Sequence, residues 1–89
     1  MKMFLSDIKY GQFFKIVSNN LRQPTDPLHW ETVKLYKKIK KGYNGVICQL
    51  IDCECSNPKF AHLFTREIGT LIKLPLYTKI TQPLTFNHL

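Results

Sequence analysis

A chain of 89 residues with 13 Lys+Arg against 6 Asp+Glu and 44% hydrophobic residues carries a formal charge of +7. That length holds one small domain with a single core. The apolar content excludes a disordered chain, and the lack of any apolar run of about 18 residues excludes a membrane-spanning helix. The positive excess points to a polyanionic partner, whether nucleic acid or an acidic protein surface. Eleven lysines to two arginines suit diffuse attraction better than base reading.

The apolar opening Met1–Leu5 is too short for a signal peptide, and the 3 cysteines do not make an even set; both fit a cytoplasmic protein. Ser6, Asp7 and Gly11 describe a turn that enters a first strand, Gln12–Val17, with Phe13 and Ile16 on opposite faces. Asn19, Asn20, Pro24 and Pro27 break that strand, so Ser18–Leu28 is an ordered loop. Trp30 follows as a core anchor.

The largest apolar unit is a hairpin. Thr32–Tyr36 alternates Val33 and Leu35, the apolar face, with Lys34 and Tyr36, the wet face, and Val46–Ile51 is near-continuously apolar. A helix over Glu31–Lys41 competes but lacks an apolar stripe and good helix formers. Between the two strands Lys37, Lys38, Lys40, Lys41 and Gly42 form a cationic tip.

Asp52–Lys59 is polar and turn-like, and Phe60–Ile68 fits a helical turn or a strand equally. Gly69-Thr70 turns the chain into a fourth strand, Leu71–Leu74, closed by Pro75; a fifth spans Tyr77–Thr81. One domain covers residues 1–82, and 83–89 is a loosely held tail. Short strands separated by turn signals read as a mainly β, five-stranded antiparallel barrel with a short insertion before the fourth strand.

Several of these segments are similar to a known group. Leu5-Ser6-Asp7-Ile8-Lys9-Tyr10-Gly11-Gln12-Phe13-Phe14 resembles the opening of small barrel proteins common in phage and prophage genomes. Thr32–Leu35 resembles their second strand and Tyr43–Val46 the start of their third. Gly69–Ile72 and Pro75–Ile80 are similar to their closing strands. The resemblance implies an SH3-like barrel, brings no settled activity or catalytic residues to carry over, and favours a phage-type protein acting on a host target, with an acidic protein surface as partner ahead of nucleic acid. Those proteins turn directly from the third strand into the fourth, so Asp52–Ile68 reads as an insertion.

Candidate binding residues are Lys34, Tyr36, Lys37, Lys38, Lys40, Lys41 and Tyr43, which combine ammonium groups with rings as phosphate contact and base stacking require. The same lysines also serve to solvate a hairpin end and keep it from pairing with another edge. Cys48, Cys53, Cys55 and His62 are ligand types zinc accepts, but Cys-x-Cys lacks the usual spacing, so no metal or other cofactor is expected. Cys48 suits the core, and Cys53 and Cys55 read as exposed thiols. Asp26 with His29, and Asp52 and Glu54 beside Cys53, are acid–base or thiol pairs of a kind any chain offers. No phosphate loop or nucleophile elbow accompanies them, and the expected class is a non-enzymatic interaction module. A metal- or redox-dependent protein is the remaining alternative.

Overall fold

The computed structural model describes residues 3–84. After a 3-10 turn at Leu5–Asp7 come strands β1 (Phe13–Asn19), β2 (Glu31–Gly42) and β3 (Gly45–Cys55), helix α1 (Pro58–Thr65), then β4 (Leu71–Leu74) and β5 (Gln82–Leu84). All neighbours pair antiparallel, in the order β4-β3-β2-β1-β5. The protein is therefore mainly β, and among the described residues no ladder joins β4 to β5. No helix among them is long and apolar enough to cross a membrane.

The central hairpin is longer than its apolar runs indicate. Its turn is only Tyr43-Asn44, with Asn44 at φ 56, a left-handed conformation asparagine tolerates. Charged Lys37–Lys41 and Asp52–Cys55 thus lie within the strands, because the β2–β3 ladder extends past the apolar runs and outweighs their modest strand propensity. The competing helix over 31–41 does not form. Gly45 passes so close to β4 that a Cβ would sit 2.7 Å from the Leu74 carbonyl oxygen. Gly45→Ala should cost about 1–2 kcal/mol in urea unfolding by pushing β4 away.

Two bulges decide which side chains face inward. Ile51 is the extra residue where Leu35 pairs Asp52 but Tyr36 pairs Leu50; Ile39 is extra where Lys38 pairs Cys48 but Lys40 pairs Ile47. The polarity of β2 itself is the reverse of that expected. Thr32, Tyr36 and Lys38 are buried, whereas Val33 and Leu35 occupy the outer face and stay partly exposed. Tyr36 is drawn inward by Phe14, its partner on β1, on which it stacks at 5.4 Å. Phe13 and Ile16 do face opposite ways: Ile16 packs on the core, and Phe13 lies across from Lys37 on the outer face.

The core joins Leu5, Ile8, Phe14, Tyr36, Val46, Cys48, Leu50 and Ile80. The N-terminal segment and the chain after β4 cross its open side together. Leu5 N–H donates to Thr78 O (2.8 Å), Ser6 N–H to Leu76 O (2.9 Å) and Ile80 N–H to Met3 O (3.0 Å). The last strand is consequently not at Tyr77–Thr81, which holds one isolated bridge, Lys79 to Phe4. It lies at Gln82–Leu84 on the free edge of β1, where Pro83, lacking an N–H, is tolerated. Pro83 and Leu84 belong to the sheet rather than to the expected tail; residues 85–89, like Met1 and Lys2, lie outside the described residues.

The insertion resolves as a helix. Asn57 caps it, its side chain accepting from Lys59 N–H at 3.1 Å, and Pro58 opens it. The same amide donates to Pro27 O (3.0 Å) and His29 O (2.9 Å), tying the proline-rich loop to α1. Trp30 is half-buried and meets Phe64 of α1 at 4.9 Å, edge to face. It anchors this helix in place and is not part of the central core.

Candidate functional site

The strands separate the seven candidate residues into distinct environments. Lys38 is 4% exposed. Its Nζ donates to Leu5 O (3.0 Å) and Ile8 O (2.6 Å) and lies 4.7 Å from the Tyr10 ring centre. Burial pulls this ammonium below its ordinary value, against Cys48 and Asp7, which favour the charge. Lys38 is a clamp on the N-terminal turn and is removed from any docking surface. Tyr36 is also removed, being inside the core.

Lys34 faces inward at the other end of the sheet, 3.8 Å from Glu67 and 5.3 Å from the Phe64 ring centre. It borders a cavity of about 370 Å³ lined by Tyr36, Leu50, Glu67, Thr70 and Ile72. Lys41 pairs with buried Val46 and so points to the inner side, where it lines a cleft with Tyr10, Asn44 and Leu76.

The remaining residues meet on the outer face, joined by one that the sequence reading did not select. One rung runs Phe13–Lys37–Gln49–Leu71 and the next Lys40–Ile47–Lys73. Lys37 Nζ stands 5.6 Å from the Phe13 ring centre, and Lys73 Nζ 5.9 Å from that of Tyr43, which is 84% exposed. Lys73 reaches Tyr43 across Gly45, whose absent side chain leaves room for the lysine stem. Lys37, Lys40 and Lys73 form no ion pair among the described residues, and neither rung carries a carboxylate.

Acids occupy the far end of this face. Asp52, Glu54 and Glu31 stand on the rungs of Leu35, Val33 and Asn19. The sheet thus has a charge gradient along its strands, with lysine and ring pairs at the turn. Lys73 was legible only through pairing, since β4 reads as an ordinary short strand until its register against β3 is known.

The pairs weighed for catalysis are held apart or otherwise engaged. Asp26 accepts from Leu28 N–H at 2.8 Å and from Arg22 at 3.1 Å, and these bonds hold its carboxyl below the usual carboxylate range. His29 Nδ1 contacts Arg22 O at 3.0 Å. Both side chains serve the loop. Asp52 and Glu54 alternate with Cys53, so their carboxylates are exposed while the thiol turns inward.

Cys53 is thereby buried, contrary to the exposed thiol expected; the Ile51 bulge turns it to the inner face. Burial raises its thiol, with Lys34 opposing. Cys48 lies about 16 Å further along β3, in the core. His62 is exposed on α1, and no three possible ligands converge on a point among the described residues. Only half-buried Cys55, whose Sγ donates to Asn57 O at 3.4 Å, is open to reagents. One thiol should therefore react quickly with an aromatic disulfide in native protein, and the other two only on unfolding; Cys55→Ser should abolish the fast phase.

No protein-family model, curated protein or solved structure matches the chain.

Proposed function

We propose that this chain is a non-enzymatic interaction module, a small SH3-like barrel that docks its outer face near the β2–β3 turn on a polyanionic macromolecule. The observation that carries this reading is the carboxylate-free pair of rungs bearing Lys37, Lys40 and Lys73 beside Tyr43. Three ammonium groups without counter-charges among the described residues repel one another, and a partner's anions offset that repulsion and steer encounter. Barrel closure is supported by Leu5–Thr78, Ser6–Leu76, Ile80–Met3 and Thr81–Lys15 backbone hydrogen bonds, which carry the chain over the open side from β4 to β5. The resemblance to phage barrel proteins supports the same class and a host macromolecule as the target.

Retention on a sulfated-polysaccharide column tests the face against net charge alone. Lys37→Gln/Lys40→Gln/Lys73→Gln should elute at clearly lower salt than a triple variant of equal charge at Lys9, Lys59 and Arg66, with both folded. Equal elution of the two variants would show that only total charge counts.

A further inference from the structure

We propose that the outer face around the β2–β3 turn binds single-stranded nucleic acid. This rests on the docking reading above and adds the class of partner. Lysines alone would suit any polyanion, but here they alternate with rings. Lys37 attends Phe13, and Lys73 attends Tyr43. Tyr43 at the turn stands 84% exposed, its ring met by Lys73 Nζ at 5.9 Å and otherwise open to a ligand. A ring so displayed beside an ammonium offers a base its π-face while the cation meets the adjoining phosphate, and every base has such a face. The carboxylates of an acidic protein surface gain nothing from the ring's face, whose quadrupole is negative.

The width of the site favours one strand over two. A β-ribbon enters a major groove as two strands. Lys40 and Lys73 instead lie on β2 and β4, separated by Ile47 of β3, so their Cα atoms are about 10 Å apart before side chains are added. That three-strand platform is too broad for a groove about 12 Å wide. An extended single strand needs no groove to enter and can lie along such a surface. The binding should tolerate sequence, because neither arginine is on it: Arg22 pairs with Asp26 in the proline loop and Arg66 follows α1.

The test is fluorescence anisotropy with a short labelled oligothymidylate, its duplex with oligoadenylate, and polyglutamate of matched charge. Single-strand affinity should fall with salt at a log–log slope near −2, from about −0.7 for each of the three lysine contacts. Lys37→Gln/Lys40→Gln/Lys73→Gln should flatten that slope. Tyr43→Leu should weaken single-strand binding roughly tenfold with the slope unchanged, and Tyr43→Phe should restore it. Both tyrosine variants alter only an exposed side chain, so the fold is not at risk. Tighter binding of the duplex, or polyglutamate bound as well as oligothymidylate with Tyr43→Leu silent, overturns the nucleic-acid assignment and leaves the docking face standing. Failure of all three probes to bind at low salt overturns both.

Discussion

Replacing Lys38 by Met is expected to lower the unfolding free energy by about 2–4 kcal/mol, read from urea midpoints at neutral pH. The ammonium supplies hydrogen bonds to the Leu5 and Ile8 carbonyls, at 3.0 and 2.6 Å, from residues that are themselves buried. Methionine matches its length but donates nothing. The Ile8 carbonyl then lacks this donor, and Leu5 O keeps only a long 3.4 Å bond from Ile8 N–H. Recovery of the cost of burying a charge offsets part of this loss. The reduction should still dominate, because the clamp fixes a segment whose Leu5 and Ile8 fill the core. Lys37→Met, one residue away on the outer face, should change stability by no more than ~0.5 kcal/mol. Equal effects of the two substitutions would contradict the clamp.

Alkaline pH should destabilise the protein through Cys48. Burial pushes this thiol up to about 11 from an ordinary 9.0, with Lys38 opposing. An unfolded chain releases the proton near 9.0, and the folded chain holds it until about 11. The stabilisation is therefore complete below pH 9 and disappears as pH rises through 11, a loss of about 2–3 kcal/mol. Cys53 and Tyr36, also raised mainly by burial, act in the same direction. Lys38 acts in the opposite one: its folded value is depressed, so its contribution rises with pH up to its ordinary 10.5. Urea midpoints between pH 8 and 11 on Cys48→Ala should be lower throughout, from the cavity, but decline less steeply than those of the native chain. Parallel declines would assign the alkaline loss elsewhere.

The alternation of β-branched and turn residues was enough to indicate an antiparallel β protein, and β1 and β4 stand close to where it put them. Facing was not legible in β2, because Val33 and Leu35 are as apolar as core residues while Phe14 on the neighbouring strand draws Tyr36 inward, and the bulges at Ile39 and Ile51 leave no mark in the sequence. Lysine spacing suggested a single tip. Ladder pairing placed Lys38 inside, Lys41 on the inner rim, and Lys37 and Lys40 outside. Lys38 could not be recognised as structural, since its partners are main-chain carbonyls that any residue provides. Helix α1 had a readable signal in Asn57-Pro58, a cap followed by a helix-opening proline, which the ambiguous Phe60–Ile68 pattern obscured.

The most direct test of the docking face is a backbone amide NMR titration of the native protein with oligothymidylate or polyglutamate, whichever binds more tightly. The expected shifts are confined to Lys37, Lys40, Tyr43, Gly45, Ile47 and Lys73, with Asp52, Glu54 and the loop around Asp26 unmoved. Shifts centred on the cleft between Pro24–Pro27 and Pro58, or spread evenly over every exposed lysine, would contradict the assignment of this face.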